Sequence, residues 1–157
     1  MRKQLDEQFQ QDLKQIVFPA VGATVVREFD TRLDQRFRGD YTIEWRQRWL
    51  DIDIKAEQDT PPNFPVELMQ DWQANDCGWF YTLRGEVWYG RYQDGRLRTV
   101  HRVSLQRLAT IPHEVSKNFK ARLAPGGYGN TVLIAVPLDV LIKERAAHII
   151  WEESNGG

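Results

Sequence analysis

The segment Gly39-Asp40-Tyr41-Thr42-Ile43-Glu44, followed by Leu50-Asp51-Ile52-Asp53-Ile54-Lys55-Ala56-Glu57, carries the residues best suited to chemistry. Along a strand, successive side chains point to opposite faces. Leu50, Ile52, Ile54 and Ala56 then share one face, and Asp51, Asp53, Lys55 and Glu57 share the other. On the preceding segment Tyr41, Ile43 and Trp45 face a core, while Asp40, Thr42 and Glu44 face away. Cross-strand partners lie on one face, so only a register that pairs odd with even positions brings the polar sides together. A two- or four-residue loop around Arg46 and Gln47 meets that condition and sets Asp40 opposite Asp53. Carboxylates about 5 Å apart at Cβ repel unless something positive lies between them, and a divalent cation beside Lys55 fits that need.

These strands belong to a wider pattern. Leu5, Phe9, Leu13 and Ile16 recur at helical spacing and predict an amphipathic helix over 3–17 that Pro19 ends. Residues 24–29, 40–45 and 48–57 read as a three-stranded meander. The prolines within 59–65 predict a loop, followed by a short helix over 66–74. Residues 78–83, 86–93 and 96–103 read as further strands, the last two joined by Asp94-Gly95, which suits a type I′ turn. A short helix over 104–110 follows, then an irregular stretch over 117–130 with a turn at Pro125-Gly126-Gly127, then a doubly buried strand over 131–136. Asp139 is placed to cap a helix running from 140 to about 152, and 155–157 read as a frayed tail.

Composition bounds what such a chain does. It has 157 residues, 21 Lys plus Arg against 22 Asp plus Glu, a net charge of -1 and 41% hydrophobic content. One soluble domain over 1–157 is expected, burying roughly 70% of its unfolded surface without a disulfide or structural metal. The charge balance excludes a tail-driven basic binder, so any nucleic-acid surface must be local. No apolar run approaches the roughly 18 residues of a membrane span and no signal-peptide core follows the N-terminus, so no membrane partner and a cytoplasmic, intracellular location are expected. Cys77 has no Cys or His partner in sequence reach, and His101, His113 and His148 lack metal-ligand spacing, which argues against zinc. Pro125-Gly126-Gly127-Tyr128-Gly129 lacks the lysine and preceding strand of a phosphate-binding loop.

A helix preceding a β-meander that carries an Asp and then an Asp-x-Lys resembles the PD-(D/E)xK nuclease superfamily, with its restriction-endonuclease-like fold. The resemblance covers residues 1 to about 83, and the stretch Asp30-Thr-Arg-Leu-Asp34 before Gly39-Asp40 is similar to the lead-in of many members. Gly39 stands where the motif's name has Pro. The tripeptide also occurs at Asp12-Leu13-Lys14, but on a helix positions two apart diverge by about 200° and cannot share a ligand. The resemblance implies an α/β fold with an N-terminal helix and a mixed, largely antiparallel sheet flanked by helices. It matches Asp40 and Asp53 to the acids that bind Mg2+, with Mn2+ as an alternative ion, and Lys55 to the lysine that orients water or stabilises developing charge. The implied activity is metal-dependent endonucleolytic hydrolysis of phosphodiester bonds in DNA, with RNA also open. A non-catalytic nucleic-acid-binding or protein-interaction module keeping the same fold is the alternative. A homodimer and a phage or mobile-element origin are compatible with either.

Members of the superfamily often supply another acid from the first helix. With Phe9 at the centre of the buried stripe, Asp6 and Asp12 lie about 60° to either side and Glu7 points away, so Asp6 and Asp12 are candidates, as is Glu28. Arginine outnumbers lysine 15 to 6, and Arg36, Arg38, Arg46 and Arg48 surround the acids as candidate phosphate ligands. Their alternative is pairing with Asp30, Asp34 or Glu44. Trp79, Tyr81, Trp88, Tyr89 and Tyr92 could stack on bases, but hairpin strands need large apolar residues to pack, which favours a core role.

Overall fold

The computed structural model describes residues 2–58, 63–71, 73, 76–117, 119, 121–123 and 131–154. The N-terminal apolar stripe forms α1 (Arg2–Asp12), a π-helical turn (Leu13–Val17) and a last turn, α2 (Phe18–Val21). Pro19 does not end the helix as expected. It sits in the first turn of α2, where a missing N–H breaks little, after a wide turn that eases the ring's clash with the preceding carbonyl. The widened turn also shifts the buried face, so that Val17 is fully buried and Ile16 is 45% exposed. Gly22, at φ +79, stops the helix instead.

The chain continues through β1 (Thr24–Glu28), α3 (Arg32–Arg38), β2 (Tyr41–Trp45), β3 (Arg48–Gln58), β4 (Asn63–Asp71), β5 (Asp76–Cys77) and α4 (Trp79–Thr82). It then forms β6 (Glu86–Gln93), β7 (Arg96–Val103), α5 (Leu105–Leu108), α6 (His113–Ser116), β8 (Arg122–Leu123), β9 (Val132–Pro137), α7 (Leu138–Lys143) and β10 (Ala147–Glu152). Six of these strands make a sheet in the order β1-β2-β3-β6-β7-β10, antiparallel except for the parallel pair β3–β6. Four more make an antiparallel sheet in the order β5-β4-β9-β8. The fold is therefore α/β, with a mixed, largely antiparallel principal sheet and flanking helices. Among the described residues no helix is long and apolar enough to cross a membrane.

Strand alternation divides the interior in two. Ile52, Ile54, Ala56, Trp88 and Tyr92 face the first helix and pack with Phe9, Leu13 and Val17. Val87, Tyr89 and Val103 face the other way and pack with Phe64 and Val66 of β4, Val136 of β9, and Leu138 and Leu141 of α7. Trp88, Tyr89 and Tyr92 are thus core residues, at most 1% exposed.

Several elements depart from the sequence reading. Residues 66–74 hold no helix among the described positions; Asn63–Asp71 is a strand, and Pro65 is tolerated because β5 pairs only near Met69 and Asp71. The expected strand over 78–83 is a helical turn, which lets the consecutive Trp79 and Phe80 pack on one cluster where a strand would send them to opposite faces. The C-terminal helix stops at Lys143 without a side-chain cap from Asp139, Arg145 takes a left-handed backbone, and Ala147–Glu152 satisfies the open edge of β7 as a strand. The strand over 131–136 is present as β9, but of its residues only Leu133 and Val136 are buried. Part of the stretch read as irregular, Arg122–Leu123, pairs with β9. The turn at 125–127 and the tail at 155–157 lie outside the described residues.

Candidate active site

Arg46 and Gln47 both take positive φ, 52° and 63°, as a two-residue type I′ turn requires, and they fix the register Tyr41↔Ile52 and Thr42↔Asp51. One residue before β2, Asp40 N–H donates to Ile52 O at 2.8 Å, and Ile54 N–H donates to Asp40 Oδ2 at 2.8 Å. Asp40 and Asp53 therefore stand opposite each other on the face away from the first helix. Gly39 enables this approach. Its φ is +87, and a Cβ there would lie 2.6 Å from Ile52 O. A proline, fixed near φ -65°, cannot adopt this backbone, so glycine is required where the motif's name has Pro.

The pair is electrostatically frustrated. Burial pushes the Asp40 carboxyl up to about 8, with the Asp53 charge and a hydrogen bond shared with Asp53 adding to it, while the Ile54 N–H and Lys55 pull the other way. Asp53 is 9% exposed. Lys55 Nζ lies 2.9 Å from Asp53 Oδ2 as an ion pair, yet that buried oxygen has no aligned hydrogen-bond donor. Burial lowers the Lys55 pKa, but Asp53, Asp40 and Glu67 outweigh it and leave the ammonium above the usual lysine value.

Asp53 and Lys55 open onto a cavity of about 520 Å³ between α3 and α4, with Arg36, Glu67, Trp79 and Thr82 in its wall. Asp40, half-buried and facing Asp53, is not part of that wall. Lys55 Nζ sits 5.6 Å from the centre of the Trp79 ring, and Trp79 N–H donates to Glu67 Oε1 at 3.3 Å. Glu67 is the acid that the sequence reading missed. Its signal was the alternation Phe64, Val66, Leu68, with period two, which the neighbouring prolines obscured.

The other candidate acids lie elsewhere. Asp12 accepts a 2.5 Å hydrogen bond from Tyr92 Oη, and Glu28 pairs with Lys14 at 3.2 Å. Asp6 is on the exposed side of α1, and α1 packs on the face of β3 opposite Asp53. The arginines do not form one field. Arg38 Nε is 3.0 Å from Asp51 Oδ2 and Thr42 Oγ1 donates to Asp51 Oδ1 at 2.6 Å, so Arg38 is committed within the fold, and to Asp51 in place of Asp30, Asp34 or Glu44. Arg46 lies over the Trp45 ring at the hairpin tip, and Arg48 is five strand residues from Asp53, about 16 Å away. Of the four, Arg36 lines the site cavity. Tyr81 is 63% exposed on α4.

Among the described residues no group of three or more His, Cys, Asp or Glu side chains converges on a metal position. The donor chemistry at Asp40 and Asp53 nevertheless suits Mg2+, which commonly takes one or two carboxylates and fills its remaining positions with water and substrate phosphate. A buried carboxylate oxygen without an aligned donor beside a carboxyl held protonated is what such an ion would relieve. Compared with models of known protein families and with curated protein sequences, the chain shows no match.

Proposed function

We propose that this chain is a metal-dependent nuclease with a restriction-endonuclease-like core, hydrolysing phosphodiester bonds in DNA. The observation that carries this reading is the frustrated pair Asp40 and Asp53, held on one sheet face with Lys55 where that face opens into a cavity. Asp53, backed by Asp40, would hold the divalent ion. When bound, such an ion supplies the charge that lets both carboxylates ionise, polarises a phosphate oxygen and acidifies a water. Lys55 stays protonated at the cavity wall, where its ammonium can orient a water or meet a phosphate oxygen. The Glu67 charge favours that ammonium, and the Trp79 N–H fixes the Glu67 carboxylate. Arg36 and Arg32, on the same wall, offer planar donors for the flanking phosphates. The order of elements, a helix followed by a meander with the first acid just ahead of β2 and Asp-x-Lys on β3, supports the resemblance.

The test is incubation with duplex, splayed, junction and single-stranded DNA, and with RNA, with and without Mg2+ or Mn2+. Cleavage is expected only with the ion, and Asp53→Asn should abolish it while the circular dichroism spectrum stays that of the native chain. Undiminished cleavage by the purified variant overturns the reading. Binding without cleavage under every metal condition would favour the non-catalytic module.

A further inference from the structure

A second cleft of about 800 Å³ adjoins the site cavity, and Leu83 belongs to the walls of both. Trp49 lines it from the acid face of β3, four residues before Asp53 and about 13 Å away along the strand. The fold does not use this indole. It is 68% exposed, and among the described residues no ring or cation stacks on it. Arg84 lines the same cleft. Its backbone N–H is tied to Phe37 O at 2.9 Å and its guanidinium lies 5.5 Å from the Phe37 ring centre. Among the described residues it forms no ion pair. The two carboxylates in the cleft wall are already engaged, Asp51 by Arg38 and Thr42, and Glu86 by Arg102 at 2.7 Å and the Trp88 indole N–H at 2.9 Å. Among the described residues the cleft thus combines an exposed ring, a guanidinium without a carboxylate partner and no unpaired acid.

We propose that this cleft receives an unpaired stretch of nucleic-acid strand next to the scissile phosphate, with Trp49 stacking on a base and Arg84 meeting the backbone. The inference deepens the nuclease reading and rests on it for the position of the scissile bond. A ring in a cleft can stack only on a base whose face is free, which a continuous duplex does not offer. The Arg84 guanidinium beside it, which has no ion pair among the described residues, favours a polyanion over a protein segment. Thirteen ångströms is the reach of about four stacked nucleotides at roughly 3.4 Å each, so one strand can lie in both cavities. The substrate class is therefore DNA with a single-stranded or splayed segment beside the cut.

The test measures binding of oligo-dT, a splayed duplex and a blunt hairpin duplex by the full chain in Ca2+, by fluorescence anisotropy. Wild-type protein should prefer the first two. Trp49→Ala should weaken binding to them about tenfold while Trp49→Phe retains most of the affinity, as stacking predicts. Arg84→Ala should lower the salt slope on oligo-dT by about 0.7. Because Trp49 and Arg84 are exposed, the variants are expected to fold, and their melting temperatures check this. Equal affinity of Trp49→Ala and wild type for oligo-dT overturns the inference, as does an equal loss on the blunt duplex. Capture of a protein segment in place of DNA would appear as no binding to any of the three probes and also overturns it. If Trp49-dependent binding is found but no metal supports cleavage, the nuclease reading falls and the strand-binding cleft stands. If cleavage occurs but Trp49→Ala binds and cuts splayed DNA normally, the reverse holds.

Discussion

At Asp40 the carboxyl meets burial, a second carboxylate and the Ile54 N–H, and its pKa is pushed up to about 8, against about 4 in an unfolded chain. The folded state therefore keeps a proton that the unfolded state releases. The stabilisation tied to that proton is complete below about pH 4 and is lost as pH rises through 8. Without divalent ions, the melting temperature of the wild type should fall from pH 5 to pH 8 more steeply than that of Asp40→Asn, whose amide oxygen still accepts from Ile54. Added Mg2+ should raise the wild-type melting temperature at pH 8 and leave the variant nearly unmoved. Parallel pH profiles for the two proteins would show that the pair is not frustrated. The facing of Asp40 and Asp53 was legible in the sequence because alternation holds from Leu50 to Ala56 and a two-residue turn leaves one compatible register. The proton-sharing was not, because it depends on how deeply the second sheet and α4 bury the pair.

Among elements, the first helix separates a pattern argument from a structural one. A regular wheel places Ile16 in the stripe of Phe9 and Leu13, whereas the π-helical turn puts Val17 there. Val17→Ala should cost about 2 kcal/mol in urea unfolding, the price of a buried branched side chain and its cavity. Ile16→Ala should cost within about 0.5 kcal/mol, as for an exposed position. Equal losses would mean that the helix keeps regular spacing. The same contrast explains which elements were legible. The hairpin at Asp94-Gly95 is written in local turn chemistry, whereas the one at Arg46-Gln47 is legible only through the alternation of its two strands, and both pairs take positive φ. Helix α3 has no buried residue, so it leaves no apolar stripe to find; its sign is the Thr31 cap, whose hydroxyl accepts from Asp34 N–H at 3.2 Å. Strand β10 follows an apolar helix with hardly a break, and only pairing with β7 shows where one ends and the other begins.

For the whole molecule, a net charge of -1 means that attraction to a polyanion must come from the local placement of arginines. Composition and segment membership suggested one field from Arg36 to Arg48, but position in the sequence does not fix position around a twisted sheet. Packing the four-stranded sheet against the β6–β7 side leaves the cavity at Asp53 bordered by α3, and it is α3 that brings Arg32 and Arg36 to the rim. The hairpin carries Arg46 and Arg48 away along its length, and Arg38 is neutralised by Asp51. The salt dependence of duplex binding in Ca2+ should follow this geometry. Replacing Arg32 and Arg36 together with Ala should flatten the slope of log affinity against log salt by one to two units, at about 0.9 for each phosphate neutralised. The pair Arg46→Ala and Arg48→Ala should leave the slope unchanged although it removes the same charge. If instead both double variants flatten it alike, net charge governs binding and the path across α3 is wrong. A loss confined to the hairpin pair would move the DNA to the tip of β2 and β3, away from Asp53.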